Sequence, residues 1–305
     1  MGKFQGLKLI SGLLLFSCQH CFCQESKPGI DGMAPSRWIT IRNTQAPGRS
    51  YRTVNTQDQL YTHEDLFFKA WIPVVHKSKF SMVMGPQYRT EQLEFKGDGE
   101  NSIQGLSDWN MRYVGAELRS MMKVDTSSWL IFGGNINKSG NFKNNGFGNF
   151  PLNYTFSAIY LIKKSNNKEF GFGLMASKNY TGIIALPIFM YHYNFSKKTG
   201  IEISLPYRAS WRYNASSKDV FYVKAEAQNR NYLIRLNDAQ CSFRRTDVDL
   251  GIAYNRQITK MVGVELFGGY RKNISNSLPT DVVAGKRSGL AFSLELYVRP
   301  PSFKK

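Results

Sequence analysis

Residues 200–214 read Gly-Ile-Glu-Ile-Ser-Leu-Pro-Tyr-Arg-Ala-Ser-Trp-Arg-Tyr-Asn. Odd positions carry Ile201, Ile203, Leu205, Tyr207, Ala209, Trp211 and Tyr213. Even positions carry Glu202, Ser204, Pro206, Arg208, Ser210, Arg212 and Asn214. Alternation with period 2 marks a β-strand with one apolar and one polar face. In a soluble sheet the apolar face packs a core. In an outer-membrane barrel it meets lipid, and the polar face lines the interior. The rest of the chain decides which face is inside.

The same alternation recurs along the chain. Phe80, Met82 and Met84 oppose Ser81, Gln87, Arg89 and Glu91. Val114, Ala116, Leu118 and Met122 oppose Glu117, Arg119 and Lys123. Phe170, Phe172, Leu174 and Ala176 alternate with Glu169, Gly171, Gly173 and Ser177. Phe221, Val223 and Ala225 oppose Tyr222, Lys224 and Glu226. Val248, Leu250, Ile252 and Tyr254 oppose Asp247, Asp249 and Asn255. Val262, Val264 and Leu266 oppose Gly263, Glu265 and Gly269, and Leu290 to Leu296 repeats the pattern against Ser293, Glu295 and Tyr297. Arg37 to Arg42 reads as a short strand, and residues 43–64, with Pro47-Gly48, as a long polar loop. The expected fold is all-β, a single antiparallel transmembrane barrel of about 12–14 strands. Fourteen requires Tyr232 to Leu236 as a strand of its own after Asp219 to Gln228.

Composition agrees. The chain has 305 residues, 14% aromatic, with 26 Gly and 11 Pro, a balance that suits strands and turns. Lys3 and Lys8 form a short basic start before the apolar run Leu9 to Phe16, and Cys21-Phe22-Cys23 offers a cleavage site before Gln24. Residues 1–23 therefore read as a secretory signal peptide, too short in its apolar run to span a bilayer. A second cut, before Cys18 in a lipobox-like Leu15-Phe16-Ser17-Cys18, is the alternative. Removing 1–23 leaves 38 basic against 22 acidic residues and Cys241 as the lone cysteine. An exported chain without a disulfide framework or Cys/His metal spacing fits a bacterial envelope protein. Residues 24–36 read as a flexible leader, 37–300 as the barrel and 301–305 as a C-terminal tail.

Three features set lipid outside. The polar face carries charges, not merely polar groups. Aromatics such as Tyr154, Trp211, Tyr213 and Tyr254 recur near strand ends, where a membrane interface favours them. Long loops at 96–105, 138–152 and 275–287 alternate with short turns at 76–79, 125–127, 165–168 and 196–199, the asymmetry of outer-membrane barrels. The runner-up fold is a soluble β-sandwich or β-helix with the apolar face as core. Arg287, Gly289, Phe292 and Leu294 resemble the C-terminal recognition signal of outer-membrane proteins, although the chain continues past it. Ala70-Trp71-Ile72-Pro73-Val74-Val75, Phe80 and Gly85-Pro86-Gln87-Tyr88-Arg89 look like the opening of one such family. Residues 60–300 as a whole resemble the uncharacterised outer-membrane β-barrel families of Gram-negative bacteria. That resemblance implies outer-membrane lipids and, through the C-terminal strand, the barrel-assembly machinery as partners. It carries no active-site residues.

Arg208, Arg212, Lys224 and Arg271 are the lumen candidates, because a focused positive field raises the local concentration of small anions. Glu202, Glu226, Glu265 and Glu295 share that face and would neutralise it into a plug. His192, in Met190-Tyr191-His192-Tyr193-Asn194, faces the interior by parity and reads as structural packing. A barrel lipase would need a Ser and a carboxylate beside it, and no sequence spacing shows them. His63 and His76 fall in loop or turn contexts and read as solvated. No cofactor, metal or nucleic acid is expected, since no ligand spacing or nucleic-acid-binding motif is present. The expected function is a narrow channel or envelope barrel for small solutes, anions among them. The alternatives are a lipid-modifying enzyme, a non-conducting structural or docking barrel, and a soluble periplasmic β-protein.

Overall fold

The computed structural model describes residues 28–34, 36–53, 59–96, 111–142, 146–180, 182–236, 239–277, 282–284 and 288–300. The signal peptide, the Cys18 lipobox and the 301–305 tail lie outside the described residues. Fourteen antiparallel strands close into a barrel. They are β1 (Ile39–Thr53), β2 (Gln59–Ala70, continued as Ile72–His76), β3 (Phe80–Lys96), β4 (Met111–Lys123) and β5 (Ser128–Gly140). Next come β6 (Asn153–Ser165), β7 (Lys168–Asn179), β8 (Gly182–Asn194), β9 (Thr199–Leu205) and β10 (Arg208–Asn214). β11 (Asp219–Leu236), β12 (Ala239–Gln257), β13 (Val262–Ser277) and β14 (Val282–Ala284 and Gly289–Val298) complete the wall. Each strand pairs with the next, and β14 pairs with β1 from Ile39 opposite Val298 to Gln45 opposite Phe292. A 3₁₀ turn, Phe147–Asn149, lies between β5 and β6.

Short turns gather at one end, with the start of β1 and the end of β14. Several are built alike. Ser196 Oγ accepts the backbone N–H groups of Lys198 and Thr199 at 3.1 Å. Ser216 Oγ accepts those of Lys218 and Asp219 at 3.0 Å. Thr259 Oγ1 does the same for Met261 and Val262 at 3.2 and 3.0 Å. A hydroxyl at the first turn position satisfies donors that leave the ladder, which fixes the reversal.

The apolar side chains point outward. Leu174, Ile183, Val223, Ile252 and Leu290 are all more than half exposed, while Glu91, Asp247 and Arg271 are fully buried. A closed barrel with this polarity leaves no unpaired edge and offers lipid its apolar side. The soluble-core alternative puts the charges on the wrong side.

Three sequence expectations move. Residues 43–53 and 59–64 are not a loop; they extend β1 and β2, and the break is a bulge between Ala46 and Arg49. Pro47 and Gly48 sit in that bulge, with Gly48 at φ +72°. Asp219 to Leu236 is one strand of 18 residues, so Tyr232 to Leu236 does not split off. The opening stretch, conversely, is two strands. Ser204 faces Arg208, Ile203 faces Ala209 and Ile201 faces Trp211, so the chain reverses at Pro206-Tyr207. Proline cannot donate to a ladder, which fits the turn and not a central strand. The two shifts offset one another in the strand count.

Candidate functional site

β9 and β10 have 7 residues each, against 18 in β11 and 19 in β12. The wall is therefore low at this hairpin. β8 pairs with β9 only from Phe189 to Asn194, so its stretch Gly182 to Ile188 has no β9 partner. Pro187 lies in that edge stretch, where a missing N–H does no harm. Beyond its pairing with β10, which ends at Glu226, the upper part of β11 reaches across to β5. Leu233 bridges Gly140, Ser139 Oγ donates to the Asn231 carbonyl at 2.6 Å, and Asn141 Nδ2 donates to the Arg235 carbonyl at 2.7 Å. This cross-brace separates a filled axial column from a side compartment behind β4 to β9.

The column is ion-paired. Glu91 and Asp65 are fully buried on β3 and β2, and both bond Arg230 of β11. Glu91 also takes the Tyr232 hydroxyl at 2.6 Å, His63 Nε2 at 2.9 Å and Arg245 Nη2 at 3.3 Å. Arg271 grips Asp249 with Nε at 2.5 Å and Nη2 at 2.6 Å, and Arg245 Nε lies 2.8 Å from Asp247. His63 is therefore not solvated: it sits on β2 with no exposure, touching Glu91, Arg245 and Arg271. Its place follows from β2 reaching back to Gln59. Above this layer Tyr61, Leu93, Met111, Tyr232, Ile234 and Phe243 pack into an apolar cap inside the barrel. Charges buried this way persist only when paired, because an unpaired one carries the full desolvation penalty.

The remaining lumen candidates form a second layer nearer the short turns. Lys224 Nζ contacts Glu265 at 2.8 Å and Glu226 at 3.4 Å. Arg42 reaches Glu226 at 3.4 Å, and Arg37 bonds Glu265 and Glu295. Burial disfavours the Arg37 charge, but the two carboxylates outweigh it and raise its pKa above the ordinary arginine value. Arg208 lies over the Tyr222 ring at 5.2 Å, opposite Glu226 in the register. Arg212 Nε lies 2.8 Å from Glu202. All eight candidate side chains thus turn inward, and each cation except Arg208 has a carboxylate within 4 Å.

Within the stretch expected to be a flexible leader, residues 29–32 are packed. Ile30 is buried, and residues 29–32 cross the short-turn end of the lumen. Gly29 N–H donates to Glu169 Oε2 at 2.7 Å, and Asp31 N–H to the Asn166 carbonyl at 2.8 Å. Asn194 Nδ2 donates to the Asp31 carbonyl at 2.9 Å, and Arg212 donates to the carbonyls of Asp31 and Gly32. Gly32 has φ +73°, and a Cβ there would lie 2.5 Å from Arg212 Nη1. Beside the leader a mouth cavity of about 560 Å³ is lined by Lys197, Lys198, Lys218 and Arg299 among others.

The side compartment holds a cavity of about 540 Å³. Ile131, Ile159, Met175, Ile188 and Met190 give it an apolar wall, with Glu117, Arg119, Asn135 and Ser204 as polar members and Tyr207 at its rim. His192 is buried just behind Ser204. The sequence does not reveal Asp65, Arg230, Arg245 or the Arg37 pairs as members of the column. Their partners come from strands far apart in the chain.

A closed, fourteen-stranded barrel with an apolar exterior and an ion-paired interior defines the class: a β-barrel of membrane type with a filled lumen. A family model described as "Domain of unknown function (DUF6268)" matches residues 119–278, just over half of the chain, and the protein belongs to that family. No curated protein sequence matches it. Among solved structures, it is similar to the NanC porin at 9% identity, covering 86% of this chain and 100% of that one, with a TM-score of 0.40. The toluene transporter TodX of P. putida aligns at 6% identity over 88% and 91% of the two chains, TM-score 0.42. The translocator domain of autotransporter NalP from Neisseria meningitidis aligns at 7% over 88% and 90%, TM-score 0.36.

Proposed function

We propose that this protein is an outer-membrane envelope barrel that admits small solutes through a gated path and holds no open axial pore. The observation that carries this reading is the filled column: the Glu91–Arg230–Asp65 layer, its apolar cap, and the leader across the mouth. The apolar exterior supports residence in the outer membrane, and Leu290, Phe292, Leu294 and Leu296 on β14 offer the outward apolar row that the assembly machinery would engage. Lys197, Lys198, Lys218 and Arg299 around the mouth cavity favour anionic solutes by local field.

Planar-bilayer recording tests it. The folded protein should be silent or flicker at neutral pH, and deletion of residues 28–34, which lie against Glu169, Asn194 and Arg212, should raise conductance with anion selectivity through the side compartment while the column stays filled. Lys197→Glu with Lys198→Glu should reduce that selectivity. A large steady conductance from the intact protein would overturn the filled column. Silence of the deletion variant would leave a structural barrel as the better reading.

A further inference from the structure

We infer that Glu169, His192 and Ser204 form an acyl-transfer triad inside the barrel, which hydrolyses carboxylic esters bound in the side cavity. Three neighbouring strands build it. Glu169 on β7 and His192 on β8 are direct register partners. Ser204 on β9 faces Met190, one inward position along from His192, so it is His192's diagonal neighbour. Direct and diagonal neighbours on one face of a sheet are within side-chain reach. Glu169 Oε1 lies 2.7 Å from His192 Nδ1, and His192 Nε2 lies 3.4 Å from Ser204 Oγ. Glu169 and His192 are buried, and Ser204 lines the cavity of about 540 Å³.

The order carboxylate, imidazole, hydroxyl is what an activated serine requires. The carboxylate fixes the ring with Nδ1 protonated, and Nε2 is left to take the hydroxyl proton. A nucleophile–base distance slightly beyond 3.2 Å is common before substrate binds. The Gly29 N–H on Glu169 Oε2 holds the carboxylate in place without occupying the oxygen that meets His192. His63, by contrast, is surrounded by Glu91, Arg245 and Arg271.

The chemistry closes with water as the only co-reactant. Ser204 Oγ attacks the ester carbonyl while its proton passes to His192 Nε2. The tetrahedral intermediate collapses, the C–O bond to the alcohol breaks, and the leaving alkoxide takes the proton from His192. An acyl-Ser204 ester remains. Water then attacks it, giving its proton to His192, and collapse returns that proton to Ser204 and releases the carboxylic acid. Ile131, Ile159, Met175, Ile188 and Met190 suit an apolar acyl group. Tyr207, on the cavity rim, donates its hydroxyl to Met175 Sδ of that wall.

The inference does not depend on conduction, so the assay is run on folded barrel in detergent micelles. Folding is verified for every variant by heat-modifiable gel mobility. The probes are a fluorophosphonate and the p-nitrophenyl esters of butyrate and octanoate. Wild type should label on the peptide that contains Ser204 and hydrolyse at least one ester. Ser204→Ala should lose both. His192→Asn should slow hydrolysis by about 10²–10⁴-fold, the usual contribution of a general base. Glu169→Gln, which keeps an acceptor for Gly29, should slow labelling as well as turnover. Ser210→Ala, a buried serine on the neighbouring strand, should leave both unchanged. Folded wild type that neither labels nor hydrolyses, or labelling that survives in Ser204→Ala, overturns the inference.

Discussion

Arg212→Met removes the side chain that ties the leader to the barrel wall. Arg212 is almost wholly buried, with Glu202 at 2.8 Å, Asn194 Oδ1 at 2.5 Å and the carbonyls of Asp31 and Gly32 as its partners. Methionine keeps most of the stem volume and none of the charge. A hydrogen bond from a charged donor contributes about 1.5–3 kcal/mol, so the two to the leader hold it by on the order of 3 kcal/mol at the lower bound. A tenfold change corresponds to about 1.4 kcal/mol, so the lifted state should become on the order of 10²-fold more populated. The reporter is Ile30→Cys in a Cys241→Ser background. Ile30 is 6% exposed, so a maleimide reaches the thiol only when the leader lifts. The labelling rate should rise on the order of 10²-fold in Arg212→Met. Gly32→Ala should move it in the same direction, because its φ of +73° and the nearby guanidinium leave no room for a Cβ. A second reporter, Ala291→Cys on the buried face of β14, should not change, which separates leader release from general loosening. Adding Glu202→Gln relieves the carboxylate that Arg212→Met leaves unpaired and should not restore the slow rate. A rise of less than about threefold, under 1 kcal/mol, would refute the assignment of Arg212 as the tether.

Two further perturbations test the inside-out reading and the column. Ile252 is 61% exposed on the outer face of β12, and Ile252→Arg should cost about 2–4 kcal/mol in lipid vesicles if it meets the bilayer core. Urea titration of vesicle-refolded protein measures this, and no change would place that face in water. Glu91→Leu strips the carboxylate shared by Arg230, Arg245, His63 and Tyr232, and should cost about 3–5 kcal/mol. Glu117→Leu, which breaks the partly exposed Lys69 and Arg119 pairs and the hydrogen bond from Gln87, should cost clearly less; equal urea midpoints for the two would show that the column is not cooperative.

The facing of most strands was legible in the sequence, because side-chain direction depends only on local period. Lys224 and Glu226 turn inward and Val223 outward as their parity requires, and the same holds for Asp249 against Leu250 and for Glu265 against Leu266. Strand ends were less legible. Tyr232 to Leu236 continues β11 because nothing there breaks the ladder with β12, and residues 43–53 and 59–64 are strand because one bulge absorbs Pro47-Gly48. The triad was invisible for another reason. Glu169, His192 and Ser204 carry no spacing signature, and only the registers of β7 on β8 and β8 on β9 bring them together.

Gly200 to Asn214 shows the division most plainly. Its composition alone set Glu202 and Arg212 inside and Trp211 and Tyr213 outside, and the barrel keeps them there. It could not say that the stretch turns back on itself. In this hairpin each residue pairs with one of like parity, so alternation runs unbroken through Pro206-Tyr207 and looks like a single strand. Period 2 records which face a side chain takes and is blind to the direction of the chain. Direction, register and closure are long-range properties. They decided the low wall at β9 and β10, the cross-brace from β11 to β5, and the place where Arg212 meets the leader.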